Sequence, residues 1–293
     1  MTADRLVSVF PERGGFLVRA AETTALVDEA RRRHRLSPTA TAALGRALTG
    51  AALLGSLLKG DASVLLQWRG DGPLGAVVAE GRPDLSVRGY VQNPQADLPS
   101  RDGKLDVGGG VGKGDLVVVR DLGLKEPYVS TAPIQTGEIA EDLAYYLLTS
   151  EQIPSAVALG VFVAPDYRVG AAGGILVEAL PDATDEDLDR LVENFGRLGG
   201  VTDLLRDGGL DAVLERALEG IPYEVRVLGT PAFRCRCSPE RLDATLAALG
   251  PGEAQKLLEE EGEIRVSCTF CATEWIRRSL DGPWERADGR AEG

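Results

Sequence analysis

Four cysteines stand in this 293-residue chain, and all of them lie in its last fifth: Cys235 and Cys237 in "FRCRC", Cys268 and Cys271 in "SCTFC". The pattern is C-x-C, thirty residues, then C-x-x-C. Two close pairs on separate segments supply two ligands each to a four-thiolate tetrahedral zinc site, and the chain between them closes the loop. The tail has too few apolar residues for a self-sufficient core, so a staple is expected. The competing readings are incidental buried thiols and a thioredoxin-like redox motif; no strand–helix–strand context around "CTFC" supports the latter. Zinc coordination holds the sulfurs as thiolates, the form that oxidants attack. Each pair could close its own small ring, Cys235–Cys237 and Cys268–Cys271, without long-range rearrangement. Rings so small are strained, hence reducible and regulatory. Their closure would remove the metal-binding free energy that folds the tail, so the site can be a switch and not only a staple.

Composition narrows the rest. A net charge of −13 argues against a nucleic-acid partner or an anionic membrane surface, because phosphate binding needs concentrated Lys and Arg. Hydrophobic content of 44% with 26% charged residues is that of an ordinary globular protein. "MTADRLVSVF" lacks a basic flank leading into an apolar core, so no signal peptide is expected. The apolar stretch 40–60, "ATAALGRALTGAALLGSLLKG", carries Arg46 and is rich in Ala and Gly, which reads as a buried core helix rather than a membrane span. A cytoplasmic location follows as the expectation, and there clustered cysteines point to metal or redox chemistry rather than structural disulfides.

Periodicity divides the chain into three. Residues 1–180 read as an α+β core domain. Helices are expected over "ETTALVDEARRRH" and from Ser37-Pro38 onward, where Ser is the N-cap and Pro stands in the first turn. "SVLLQW", "LGAVVAE" and "LSVRGYV" read as an antiparallel meander broken by "GDGP" and "GRPD". "DLVVVRDLG", "AVALGVFVAP" and the helical "GEIAEDLAYYLLTSEQIP" complete one sheet with helices packed on it. Residues 181–231 read as an amphipathic helical linker, with stripes at Leu188, Leu191, Val192, Phe195 and Leu198, and at Leu210, Val213, Leu214, Ala217, Leu218 and Ile221. Residues 181–232 hold 12 acidic against 5 basic residues, a net −7. Such a segment is either two solvated helices docked on the core or a marginally anchored one that detaches and bares its stripes. Residues 232–293 form the third unit, with a helix opening at Ser238-Pro239, a second acidic helix and the strand-like "EIRVSC".

Other motifs carry no chemistry. "DVGGGVGKGDLVVV" misses the phosphate-loop spacing, with Val107 and Gly114 at its diagnostic positions, and reads as a turn or bulge. His34 is the single histidine, expected at the surface, and the acidic runs read as solvated helix faces. No catalytic residues are expected. Three segments, "GKGDLVVVRDLGLKEPY" (112–128), "TGEIAEDLAYYLLTSEQIPSAVALGVFV" (136–163) and "FRCRC…EGEIRVSCTFC" (233–271), together resemble the thirty-three-kilodalton redox-regulated heat-shock chaperones, the zinc-dependent chaperonins. The likeness spans essentially the whole chain, and "SEQIPS" (150–155) with the cysteine tail is its most specific part. Two positions depart from the family pattern: Ser130 and Ala272 each stand where Gly is usual.

The resemblance implies an ATP-independent holdase, inactive when reduced and zinc-bound. It further implies that oxidants convert the cysteine pairs to disulfides and expel zinc, and that the zinc unit and linker then unfold. The oxidised form is implied to dimerise from a reduced monomer and to hold unfolding client proteins. Carried onto this chain, Cys235, Cys237, Cys268 and Cys271 are both zinc ligands and redox centres. Leu188, Leu191, Phe195, Leu210, Val213 and Leu214 are the expected client-binding residues. Two runner-up readings come from other classes: a zinc-stapled nucleic-acid-binding protein, disfavoured by a tail of 9 basic and 12 acidic residues over 233–293, and a thiol–disulfide oxidoreductase.

Overall fold

The computed structural model describes residues 3–12 and 15–287. Two runs rich in β-branched and apolar residues open the chain, β1 (Arg5–Pro11) and β2 (Phe16–Glu22), paired antiparallel. The helix α1 (Thr24–His34) follows, and the Asp4 carboxylate accepts hydrogen bonds from the amides of Ala25 and Leu26 at its start. His34 is half-buried rather than fully exposed, its ring 6.2 Å from that of Phe233.

The helix α2 (Pro38–Gly55) organises the molecule. Ser37 caps it by accepting from Ala40 N, and every residue but Pro38 and Arg46 is buried. A helix apolar all round belongs inside a protein. Among the described residues, no helix is long and apolar enough to cross a membrane. Close packing is built from glycine: a Cβ on Gly81 would fall 1.9 Å from Ala51 O of α2.

On one side of α2 lies a sheet of β3 (Ser63–Gly70), β4 (Ala76–Gly81) and β5 (Ser86–Val91), the expected meander. The glycine run forms a short helix, α3 (Val107–Val111), capped by Asp106, rather than a turn or bulge. It leads into β6 (Gly114–Asp121) and the edge strand β7 (Tyr128–Pro133). The helix α4 (Ile139–Thr149) then precedes β8 (Ser155–Val163) and β9 (Val169–Ala179), which join β1 and β2 in a second sheet on the other side of α2. The α+β class stands, but the single sheet read from sequence is two sheets with a helix between them. The second went unread because its strands pair over long separations, as Phe16 with Ala179.

The remainder of this unit covers the outer face of the second sheet. The helix α5 (Asp185–Gly196) is capped by Thr184 and carries three acidic residues in its first turn, where the helix dipole favours them. The helix α6 (Val201–Ala217) is interrupted at Gly209, whose φ of 68° is left-handed. The edge strand β10 (Tyr223–Gly229) adds to β1, and β11 (Ala232–Phe233) pairs parallel to β5. The segment 181–231 thus lies wholly within the first of two compact units, Met1–Arg234 and Cys235–Gly293.

The second unit holds α7 (Pro239–Leu249), α8 (Pro251–Glu261) and a three-stranded antiparallel sheet of β12 (Ile264–Ser267), β13 (Glu274–Arg277) and β14 (Glu285–Arg286). Its core is small: Leu242, Leu246, Ala254, Ile264, Trp275 and Trp284. Asp243 of α7 ties it to the sheet by accepting from Trp284 Nε1 and Arg277, both at 2.8 Å. The last six residues of the expected unit 232–293 lie outside the described residues.

Candidate metal and redox centre

An irregular segment and a turn bring the cysteines together. Cys235 and Cys237 sit in the extended chain just before Ser238 and α7, and Cys268 and Cys271 in the turn between β12 and β13. That turn is closed by Cys271 N–H and Ala272 N–H donating to Cys268 O, and by Cys268 N–H donating to Thr273 O. Ala272 has φ 54°, the left-handed conformation that Gly adopts without penalty. The departure from the family pattern at this position therefore places strain in the knuckle itself.

The four Sγ atoms all lie within 4.8 Å of one another. Cys235 Sγ is 3.6 Å from Cys268 Sγ, and Cys237 Sγ is 3.5 Å from Cys271 Sγ. A tetrahedron with Zn–S bonds of about 2.3 Å has edges of about 3.8 Å, so the cluster fits a zinc ion. All four thiols are free, and these separations are far beyond the roughly 2.05 Å of a disulfide. Proximity does not select a pairing, because every pair is within reach. Cys271 is buried, the others half-buried, and Thr273 Oγ1 is in hydrogen-bond contact with Cys271 Sγ at 3.2 Å. Hydrogen bonds from Cys237, Cys268 and Cys271 hold the Cys235 thiol well below its ordinary range, while Cys237 and Cys268 are pushed up chiefly through their bonds to Cys235. Cys271 is lowered as well, to about 6, its contact with Cys235 raising it and those with Cys237 and Cys268 lowering it, so two sulfurs of the cluster carry charge readily, as a cation site requires. Among the described residues, no other group of three or more Cys, His, Asp or Glu side chains is gathered in this way.

The six apolar residues expected to bind clients form a second assembly. Leu191, Leu210, Val213 and Leu214 are buried, with Leu188 and Phe195 packed against them, in one cluster with Val7, Val9, Val18 and Ile175 of the second sheet. Val192 is 71% exposed and does not belong to the stripe. Sequence reasoning missed two residues that hold this assembly. Asn194 is buried on the apolar face of α5 and donates to Ala217 O and Glu219 O, satisfying carbonyls left open at the end of α6. A polar residue three positions after Leu191 was the signal. Gly160 of β8 gives α6 its seat: a Cβ there would lie 2.8 Å from Thr202 N. Nothing in a single sequence marks that glycine.

Ser130, the other departure, lies 2.7 Å from the Tyr146 hydroxyl, which donates to Glu151 of "SEQIPS" at 2.6 Å. Glu151 in turn pairs with Arg120 at 2.9 Å. Burial and the bond to Glu151 push the Tyr146 hydroxyl up to about 12.

A two-unit α+β protein with four clustered thiols in its smaller unit is the class that this fold and site define. A family model described as Hsp33 protein matches residues 4–276, which include all four cysteines. The chain belongs to the Hsp33 family, and so to the chaperones. It is 47% identical over 270 residues to a 33 kDa chaperonin of Geobacter sulfurreducens, covering 92% of this chain and 90% of that protein. It is 50% identical to a 33 kDa chaperonin of Thermus thermophilus, covering 88% and 79%. The crystal structure of the 33 kDa chaperonin, a heat shock protein 33 homolog, from Thermotoga maritima superposes with a TM-score of 0.88 at 37% identity, over 95% of this chain and 96% of that one.

Proposed function

We propose that the protein is a redox-regulated, ATP-independent holdase, inactive when reduced and active when oxidised. The observation that carries this reading is the meeting of four free thiols within 4.8 Å, in a chain of a chaperone family. In the reduced protein Cys235, Cys237, Cys268 and Cys271 hold one zinc ion, which supplies binding free energy to a unit with a small apolar core. On oxidation Cys235 joins Cys237 and Cys268 joins Cys271. Each closure forms one S–S bond from two thiolates and passes two electrons to the oxidant; one hydrogen peroxide per pair leaves as two hydroxides. Each disulfide removes two of the four donors, so the unit 232–293 loses its staple.

The segment 181–231 is the linker in this reading. It undocks from the core domain 1–180 and uncovers Leu188, Leu191, Phe195, Leu210, Val213 and Leu214 for unfolding client proteins. The reduced protein is a cytoplasmic monomer and the oxidised one a homodimer. Its net charge of −13 supports a role without nucleic-acid or membrane partners.

The reading is tested with the full-length protein. One zinc per chain is expected under reductant, falling sharply in Cys268→Ser. After peroxide with mild heat, the protein suppresses aggregation of an unfolding client stoichiometrically and shows no catalytic turnover in insulin reduction. Turnover there would make it a thiol–disulfide oxidoreductase instead, and salt-dependent RNA or DNA binding at physiological ionic strength would restore the nucleic-acid reading.

A further inference from the structure

The strand β10 is held on β1 almost wholly by its main chain. Its ladder runs from Leu6 opposite Gly229 to Pro11 opposite Tyr223, and continues as Glu12 N–H donating to Pro222 O at 2.8 Å. Yet Glu224, Val225, Arg226, Val227 and Leu228 are all exposed, Val225 by 44% and Val227 by 60%. A strand that buries so little side chain gains little from the hydrophobic effect on docking, and water can replace its hydrogen bonds at small net loss. The strand β1 is different: Leu6, Val7 and Val9 lie in the core, and its other edge is paired to β2. When β10 leaves, β1 stays.

The place of β10 in the chain makes its departure part of the switch. It follows α6 directly, and only residues 230–234 separate it from Cys235. In the redox-holdase reading α6 undocks on one side and the cysteine unit loses its staple on the other, with the two-residue strand β11 on β5 between. The edge then left open is well defined. Side-chain and main-chain alternation from Glu12 N–H places the amides of Phe10 and Ser8 on the same edge, facing β10, and those of Val7 and Val9 toward β2. Val7 and Val9 also belong to the cluster that α5 and α6 cover, so undocking bares an apolar sheet face continuous with the open edge.

We infer that the β1 edge, vacated by β10, takes an extended segment of an unfolding client as a replacement strand. This rests on the redox-holdase reading above and adds to it where the client sits and in what conformation. The chain's own strand shows what the edge accepts. It is extended and antiparallel to β1, with Val225 and Val227 opposite Val9 and Val7, and it tolerates Glu224 and Arg226 in alternation with them. Strand addition uses main-chain groups common to all sequences, with alternate side chains adding preference. An unfolding polypeptide offers unpaired extended backbone with apolar residues; a folded protein does not.

The test is residue-resolved hydrogen exchange on the full-length protein, reduced, oxidised, and oxidised with a permanently unfolded carboxymethylated polypeptide. The amides of Ser8, Phe10 and Glu12 are protected when reduced and exchange about tenfold faster or more after oxidation, the change that 1.4 kcal/mol of lost protection produces. They regain protection when the polypeptide is added, while Val7 and Val9 stay protected throughout. In Arg226→Pro, which removes an amide that pairs with β1, the fast exchange and polypeptide binding appear with all four thiols still reduced. If the oxidised protein suppresses aggregation while the three amides stay slow, or stay fast with the polypeptide bound, the inference falls and the holdase reading stands. Protection that rises with protein concentration alone assigns the edge to a second copy and overturns the client assignment. An oxidised protein that suppresses no aggregation overturns both.

Discussion

Replacing Gly160 by Ala tests whether α6 is seated on β8 as the structure indicates. The added Cβ would lie 2.8 Å from Thr202 N, 3.0 Å from Thr202 Cα and 3.0 Å from Thr202 Oγ1. The nearest atom is main chain, so the helix α6 must shift rather than a side chain turn aside. Overpacking of this kind costs about 1–3 kcal/mol. The strand β8 is formed whether or not α6 is docked, so the intrinsic preference for Ala over Gly enters both states and cancels. The cost falls on docking, and at 1.4 kcal/mol per tenfold it weakens docking by about 5- to 140-fold. An undocked helix of this length is marginal in water, so its amides exchange once it leaves the sheet. Hydrogen exchange of the reduced variant should show α6 protection lowered by that factor, with increased binding of a hydrophobic dye and four free thiols. Gly196→Ala is the control, since a Cβ there meets nothing within 4 Å, and it should leave α6 unchanged. Wild-type protection of α6 in Gly160→Ala would refute the reasoning.

Three further outcomes are expected. Ala272→Gly relieves a left-handed residue in the cysteine turn, worth about 1 kcal/mol, so chelator competition should show zinc held about fivefold tighter; equal or weaker binding contradicts the strain argument. Asn194→Ala leaves Ala217 O and Glu219 O without their donor, which costs about 1–3 kcal/mol and should lower the urea midpoint of the reduced protein; an unmoved midpoint argues against the cap. The Tyr146 hydroxyl is raised from its ordinary 10 to about 12, so the folded state holds a proton that the unfolded state gives up. The associated stability is complete below pH 10 and is lost as pH rises through about 12. Urea midpoints measured across that interval should fall in the wild type, and Tyr146→Phe should remove this contribution.

Local signals were legible in the sequence wherever one segment carries its own pattern. Ser37-Pro38 marked α2, its Ala- and Gly-rich apolar run, broken only by the charge of Arg46, marked it as buried, and the 3.6-residue stripes marked α5 and the second half of α6. The four cysteines were legible as one site because their spacing alone limits what they can do. What escaped depends on distant partners. The strands β2 and β9 pair across more than 150 residues, and glycine is needed in β9 for that pairing: a Cβ on Gly173 would lie 2.4 Å from Ala21 O. The strand β10 carries a two-residue alternation, Tyr223, Val225 and Val227 with Glu224 and Arg226 between, but it lies in the segment 181–231 that the helical stripes had claimed as a whole. Val192 fitted the stripe by spacing but lies just past its edge, where one residue turns the helix by about 100°.

The central claim is that the oxidation state of the four cysteines controls the docking of residues 181–231 and, through it, client holding. The most direct measurement follows free thiols, bound zinc, hydrogen exchange in α5 and α6, and suppression of client aggregation in the same samples during a peroxide titration with mild heat. The account predicts that all four change together: thiols and zinc are lost, α5 and α6 lose protection in proportion, and holdase activity rises with them. A protein that loses its thiols and zinc while α5 and α6 stay protected and client aggregation proceeds unchecked would contradict it.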